Sequence, residues 1–482
     1  MAEKWSKAVL VVSFGTSYEE TRKKTIEAIF TRVEKKYPDY YVLQAYTSTI
    51  IRKQLEKQHI LRYSVQEAME HLKSMGVKDV YVLSTHVIDG EEYCSLADTL
   101  NLYQSDFHHI KISPPLLGSS EDMERVVDIL YQNYGQNDTL LLAMGHGTSH
   151  PADALYGQLN EIIRERNYDN FCIATVEGQM SLEQAISYFG ARKEKRVKVF
   201  PFMLVAGDHA NNDMAGEEED SWKSVLSRQG YEVETVLAGM GEIDQIQNLY
   251  LEHLETILPV FYAVGVGPGE PGLMTIKALK VLQQVQVIAA PVTKSGQTLA
   301  LDIVRENMDI QGKEIVYLSF PMTKDKDALV NNYQEQAQKI LDLLEKGKRV
   351  AMVNIGDVSI YSTCSYIYEI ISQKYPSEMI AGVPSFCAAA AALGKSLAKG
   401  NEPVHIIPAS YGIEDALSLD GNLIMMKSGK EYEKIYDALD KRNRLECAGM
   451  VQNCGLTDEK IYHGLPEKLE QESYFTTIIV NQ

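Results

Sequence analysis

The stretch Val9-Leu10-Val11-Val12-Ser13-Phe14-Gly15-Thr16-Ser17 is an apolar run that ends in a Gly/Thr/Ser turn ahead of a helical pattern, Thr21 to Lys36. It returns as Leu140-Leu141-Leu142-Ala143-Met144-Gly145-His146-Gly147-Thr148-Ser149, ahead of a second helical pattern from Ala154 to Glu165. A second echo pairs Val80-Tyr81-Val82-Leu83 to Gly90-Glu91-Glu92 with Val197-Lys198-Val199-Phe200 to Gly207-Asp208-His209. Short β-rich runs alternating with amphipathic helices read as βαβ units, so the fold class is α/β, with parallel sheets covered by helices. Two echoes in the same order predict two similar lobes facing each other. Ligands of open α/β sheets sit beyond the carboxyl ends of the strands, where all four echoed turns fall, so the cleft between the lobes is the expected site.

The chain has 482 residues, 45% apolar and 23% charged, with 32 glycines and 15 prolines, which describes a folded protein and excludes a disordered or collagenous one. Its length suits roughly three units of domain size. A net charge of -19 excludes nucleic acid or an anionic membrane as the expected partner, because either requires a basic face. The six cysteines form no C-x-x-C pair, which argues against a zinc ribbon or disulfide framework and for a reducing compartment. Only Met1 to Lys7 precede the apolar run Ala8 to Val12, which leaves no room for a signal peptide, and no stretch of membrane-spanning length follows. A cytoplasmic protein is expected.

Near residue 258 the pattern changes. The helical pattern Ile243 to Leu258 ends at Pro259, and a new strand, Val260 to Val264, runs into a glycine-rich turn. Nine of the eleven histidines precede this point, so residues 1–257 and 258–482 are expected to be domains with different chemistry.

In the first half, Ser17 with Glu20 predicts a capping box, and Pro151 suits a first helical turn. Both turns would offer helix N-termini to anions. His146 stands between two glycines, which lets a bulky ligand approach. His209 lies in Val205-Ala206-Gly207-Asp208-His209-Ala210-Asn211-Asn212-Asp213-Met214, and Glu177 follows an expected strand, Phe171 to Thr175. Two imidazoles and one carboxylate suit a late first-row divalent ion such as cobalt, nickel, iron or zinc better than magnesium. His86 and Glu92 are secondary candidates, whereas the run Glu217 to Asp220 reads as a solvated helix start.

Val12-Ser13-Phe14-Gly15-Thr16-Ser17, Met144-Gly145-His146-Gly147, Thr175-Val176-Glu177-Gly178 and Phe202 to Met214 together resemble the anaerobic, ATP-independent sirohydrochlorin cobaltochelatases over nearly all of residues 1–257. The resemblance implies two α/β lobes, a tetrapyrrole in the cleft, and Co(II) bound by His146, Glu177 and His209. Inserting a metal requires two pyrrole protons to leave, and imidazoles serve both as metal ligands and as proton acceptors. His146 is assigned proton abstraction and metal contact, His209 metal delivery, and Glu177 binding or proton relay.

In the second half, Gly265-Val266-Gly267-Pro268-Gly269 carries a proline that a dinucleotide fingerprint would not tolerate, which argues against NAD. With Asn354-Ile355-Gly356-Asp357-Val358-Ser359-Ile360-Tyr361-Ser362-Thr363 and Gly382-Val383-Pro384-Ser385-Phe386, it resembles the tetrapyrrole methyltransferases that use S-adenosylmethionine, over about residues 259–482. Ser319-Phe320-Pro321-Met322 and Pro291-Val292-Thr293-Lys294 point to the precorrin-2 or cobalt-factor II C-20 branch. The resemblance implies two α/β subdomains, a homodimer, a cofactor site lined by Gly356, Asp357, Tyr361, Ser362 and Thr363, and a tetrapyrrole facing Gly267, Pro268 and Gly269. Asp357 and loop carbonyls are candidate partners for the sulfonium, and Lys277, Lys294 and Lys324 for substrate carboxylates. Val358 replaces the proline often found after Gly-Asp, and no general base stands out.

Together the halves imply an enzyme that inserts cobalt into sirohydrochlorin and methylates the product at C-20. The link near Pro259 would hold the two sites at high effective concentration. Three alternatives remain: iron or nickel with a different ring position, a non-catalytic metal or tetrapyrrole carrier, and one active half beside a structural one.

Overall fold

A computed structural model describes residues 5–136, 138–190, 192–293, 296–321, 323, 325–408 and 411–481. Its contacts divide the chain into two compact units, Met1–Leu258 and Pro259–Gln482.

The first unit contains two sheets of identical topology. Strands β1 (Lys7–Ser13), β2 (Tyr41–Tyr46), β3 (Asp79–Ser84) and β4 (His109–Ile112) form an all-parallel sheet in the order β2-β1-β3-β4. Strands β5 (Thr139–Gly145), β6 (Phe171–Thr175), β7 (Arg196–Pro201) and β8 (Glu232–Thr235) repeat it as β6-β5-β7-β8. The echoed strands therefore occupy equivalent places: β1 matches β5 and β3 matches β7. All four are apolar on both faces because helices cover both sides, and β3 and β5 are buried along their whole length.

The last helix of this unit, Asp244–Ile257, returns to the first lobe, where the Tyr250 hydroxyl donates to the Thr85 carbonyl at 3.0 Å. Arg32 pairs with Asp244 and Lys36 with Glu255 along the same seam.

Two local expectations are corrected. The Ser17–Glu20 capping box does not form: the helix Glu19–Lys24 starts behind Tyr18, which makes no side-chain cap bond, and the Tyr18 amide donates to Thr16 Oγ1. Capping boxes stand instead at Ser64 with Glu67 and at Ser181 with Gln184. The single helix expected over 21–36 is also broken, into Glu19–Lys24 and Ile26–Lys36. Between them buried Thr25 turns its hydroxyl back onto the Thr21 carbonyl, which also accepts from the Thr25 amide, and its own backbone leaves the helical region at φ -114° and ψ -87°.

The second unit holds a parallel sheet of β9 (Phe261–Gly265), β10 (Val287–Val292), β11 (Glu314–Ser319), β12 (Val350–Asn354) and β13 (Ser377–Ile380), ordered β11-β10-β12-β9-β13. A second sheet of β14 (Val404–Pro408), β15 (Asn422–Met426), β16 (Ala448–Gln452), β17 (Lys460–Tyr462) and β18 (Thr476–Val480) is ordered β14-β15-β18-β16-β17. Only β14 and β15 pair parallel there; the remaining pairs are antiparallel. The seven residues between β16 and β17 are too few for a crossover helix, so the chain reverses directly.

Among the described residues no helix is long and apolar enough to cross a membrane, and all six cysteines carry free thiols.

Glycines at the ends of β9, β12 and β13 fix the geometry of the first sheet's carboxyl edge. A Cβ on Gly265 would lie 2.7 Å from both the Gly356 carbonyl oxygen and the Gly382 nitrogen, and one on Gly382 would overlap that same oxygen. Backbone cannot retreat as a flexible side chain can. Gly382→Ala should therefore cost about 1–3 kcal/mol by overpacking, read as a lower urea midpoint for the second unit's unfolding transition.

Candidate functional site

The β5–β6 ladder runs beyond its last paired residues, Gly145 and Thr175. Val176 N donates to Gly145 O at 3.0 Å, and Glu177 N donates to His146 O at 2.9 Å. His146 and Glu177 consequently leave neighbouring strands at one level, with Nδ1 and Oε2 3.9 Å apart. The next strand over, β7, is followed by Phe202, whose amide donates to Met144 O, and the chain then runs to His209. The His146 and His209 rings stand edge to face, with centroids 4.5 Å apart. The three residues singled out from sequence thus converge at the carboxyl edge of the second lobe.

Both imidazoles are oriented by an acceptor. His146 Nδ1 lies 2.9 Å from the Gly147 carbonyl and His209 Nδ1 lies 2.6 Å from Asp213 Oδ2. A carbonyl or carboxylate oxygen only accepts, so each Nδ1 is the donor in these bonds and each Nε2 is the ring nitrogen left outside them. Asp213 reaches His209 across a π-helical turn, Ala210–Met214, of a kind that recurs at functional sites. Sequence reading quoted Asp213 without singling it out, because a π turn has no simple residue signature.

The His146, Glu177 and His209 side chains are 48%, 60% and 34% exposed, an openness that suits a metal taken up and handed on. Among the described residues no three His, Cys, Asp or Glu side chains close around one point as a finished metal cage. The trio are neighbours with lone pairs available.

The loop carrying His209 rests on the first lobe. Tyr18 donates its hydroxyl to Asp208 Oδ1 at 2.9 Å, and Ala206 N donates to Thr21 Oγ1 at 3.3 Å. In the echoed turn Phe14 takes the place of His146, and Gly15 and Gly147 share positive φ angles of 104° and 79°. The repeat has kept the backbone turn and changed its chemistry: Phe14 and Tyr18 offer exposed aromatic faces where the other lobe offers ligands.

Glu92 is exposed in the first turn of the helix Glu91–Asn101, and Glu217 to Asp220 are exposed ahead of Trp222–Arg228. His86 Nδ1 lies 2.8 Å from Ser84 Oγ, and its Nε2 is buried without a partner. Burial pushes the His86 pKa down to about 4.

In the second unit the loops after β9 and β12 join at an isolated bridge, Gly267 to Gly356. Gly267, Pro268 and Gly269 are all buried. A Cβ on Gly269 would meet the Gly455 backbone at 2.7 Å, so glycine there lets the two sheets of this unit approach each other. Asp357 is engaged within the loops. Its Oδ2 accepts from Gly382 N at 2.9 Å and its Oδ1 from Ser359 N and Oγ, so the carboxylate clamps three loop groups and is not a free counter-charge.

Val358 fills the core beneath, which gives the missing proline's position a packing role. Tyr361 adopts φ 48°, donates its hydroxyl to Ile406 O at 2.7 Å, and accepts from Lys427 at its carbonyl. Ser362 caps the helix Thr363–Ile371. Gly356, at φ 73°, differs from its glycine neighbours: a Cβ there would enter open space, 3.9 Å from Ser385 N. Lys277 pairs with Glu378, while Lys294, Lys324 and Met322 lie outside the described residues.

Two outcomes follow. Asp213→Asn should weaken Co(II) binding about 10–100-fold, as loss of an outer-shell carboxylate does, measured by visible absorbance titration. For His86, the folded pKa lies below the ordinary value of about 6.5, so the unfolded chain binds the extra proton between those values and stability falls as pH drops from 6.5 to 4. His86→Gln should remove on the order of 2–3 kcal/mol of that acid-side slope, measured by denaturant unfolding at pH 4.5 and 7.

Residues 7–258 match the family model of cobalt chelatases (CbiK), and residues 260–470 match that of tetrapyrrole (corrin/porphyrin) methylases. The sirohydrochlorin cobaltochelatase of Salmonella typhimurium is 33% identical over 255 residues, covering 52% of this chain and 96% of the relative. A probable cobalt-precorrin-2 C(20)-methyltransferase of Methanocaldococcus jannaschii is 34% identical over 215 residues, covering 44% of this chain and 90% of the relative. The cobalt-precorrin-2 C(20)-methyltransferase of Salmonella typhimurium is 31% identical over 227 residues, covering 46% and 95%. With an echoed two-lobed unit carrying His146, Glu177 and His209 at one end and a two-sheet unit joined through glycine loops at the other, the chain belongs to the cobalt chelatase family through its first unit and to the tetrapyrrole methylases through its second.

Proposed function

We propose that the chain is a bifunctional enzyme of cobalamin biosynthesis, inserting Co(II) into sirohydrochlorin and methylating the resulting cobalt-factor II at C-20 to give cobalt-factor III. The observation that carries the first activity is the convergence of His146, Glu177 and His209 on one strand edge in a unit of the cobalt chelatase family.

Insertion exchanges one Co(II) for two pyrrole N–H protons. His146 and His209 hold the incoming metal through Nε2, and an Nε2 that releases its metal to the ring becomes free to accept a pyrrole proton. Glu177, 3.9 Å from His146, either contacts the metal or passes that proton on to water. Phe14 and Tyr18 line the facing turn, where their rings suit a flat macrocycle.

For the second activity the methyl donor is S-adenosylmethionine, whose sulfonium supplies an electrophilic methyl group. The residues fit such a cofactor: Gly356 leaves room that a Cβ would fill, and the Ser385 amide lies at the rim of that space. Asp357 holds the Gly356 and Gly382 loops in place, and Tyr361, Ser362 and Thr363, which follow on the same loop into the helix Thr363–Ile371, are assigned to the same cofactor. Aligning donor and acceptor is the main demand of a direct displacement, and fixed loops supply alignment. Pairing of two copies through the methylase unit and a cytoplasmic setting, which the free thiols suit, belong to the same reading.

The deciding experiment incubates the full chain with sirohydrochlorin and Co(II), with and without S-adenosylmethionine, and follows absorbance and product mass. Cobalt insertion alone without the cofactor, and one added methyl group with it, are expected; His146→Ala should abolish the first step. Insertion with no methyl gain would overturn the second assignment, and no insertion would overturn the first. Equal insertion of iron or nickel in competition would overturn the choice of metal.

A further inference from the structure

We propose that Asp153 is the positioning residue that sets the distance between His146 and Glu177, so that Co(II) affinity depends on a carboxylate that is not itself a ligand. The inference rests on the reading of His146, Glu177 and His209 as the metal-handling set.

Asp153 ends the 3-10 turn Pro151–Asp153 at the start of the helix Ala154–Glu165, and only 3% of it is exposed. Its Oδ1 accepts from Thr148 N at 3.1 Å, and its Oδ2 accepts from Gln179 N at 2.8 Å. Thr148 stands two residues after His146, and Gln179 two residues after Glu177. One rigid, planar group therefore ties the two ligand-bearing loops at equivalent points, just beyond the backbone bond from Glu177 N to His146 O. The loops are held on both sides of the ligands: by the β5–β6 ladder before them and by Asp153 after them.

The surroundings are shaped for this carboxylate. A Cβ on Gly178 would overlap Asp153 Oδ1 and lie 2.6 Å from Thr175 Oγ1, so only glycine lets the carboxylate reach both amides. Gly147 lies directly against Gly178, where a Cβ would meet its Cα at 2.8 Å. Among the described residues no salt-bridge partner faces Asp153, so backbone N–H groups hold it. A buried carboxylate is costly to keep without such donors. Its removal would leave two loop amides unpaired and the ligand spacing unset. Outer-shell groups that orient metal ligands typically govern affinity by about 10–100-fold.

The test uses the full chain and four variants: Asp153→Ala, Asp153→Asn, Gly178→Ala and His146→Ala. The measurements are the Co(II) dissociation constant by visible absorbance titration, fluorescence-monitored binding of metal-free sirohydrochlorin, and methyl transfer by the second unit as a check on folding. Asp153→Ala should weaken Co(II) about 10–100-fold while metal-free tetrapyrrole binding stays within about twofold. Asp153→Asn keeps the volume but only one acceptor oxygen, so it can hold one loop amide and should recover only part of the affinity. Gly178→Ala displaces the same carboxylate with every ligand intact and should weaken Co(II) as well.

Parent-like Co(II) affinity in Asp153→Ala, with binding lost in His146→Ala, would overturn the role of Asp153 and leave the ligand set standing. Parent-like affinity in His146→Ala would instead overturn the ligand set. If Asp153→Ala does not fold, Gly178→Ala decides: unchanged Co(II) affinity there overturns the proposal.

Discussion

Parallel pairing between two neighbouring strands places the His146 and Glu177 side chains side by side. Because the β5–β6 ladder continues to the bond between Glu177 N and His146 O, the two residues share one level of the sheet, and Asp153 ties their loops together just beyond it. The surrounding features depend on that register. The loop after β7 brings His209 against His146, the π turn supplies Asp213 behind it, and Tyr18 steadies the loop from the other lobe. A one-residue slip of β6 would turn Glu177 to the opposite face. The long apolar runs of β5 and β6, buried on both faces, make such a slip expensive.

The second unit solves a comparable problem with close backbone packing in place of register. Gly265, Gly356 and Gly382 let three strand ends approach within contact distance, and Asp357 ties two of those loops together. The two sheets of this unit meet through Gly269 with Gly455 and through Tyr361 with the Ile406 carbonyl. Glycine-rich loops that read in sequence as ligand-facing are thus partly the joints of the fold itself, and only Gly356 retains open space beside it.

What could be read from the sequence followed the strength of the local signal. Phe171–Thr175 and Ala154–Glu165 emerge at their expected bounds, since apolar runs and amphipathic periodicity are determined within a few residues. The echoed turns also revealed the duplication and led to His146 and His209, and the end of the strand Phe171–Thr175 led to Glu177. Three kinds of feature were not legible. The helix breaks at Thr25, whose backbone leaves the helical region while its hydroxyl bonds back to Thr21 O, a local turn that periodicity does not register. Ser17 and Glu20 have the spacing of a capping box, but the helix starts too late for Ser17 to cap it. Asp153 and Asp213 gain their significance from groups brought near by a loop contact and by a π turn, neither of which leaves a mark in residue order.

The openness of the His146, Glu177 and His209 group has a consequence for how such a protein would live with its metal. Side chains a third to more than half exposed make no desolvated cage, so an ion held there would stay open to exchange with the surrounding water and its chelators. Occupancy would then track the free ion concentration continuously, as in a buffer, and the pace of insertion would be set by how well the cell is provisioned with cobalt.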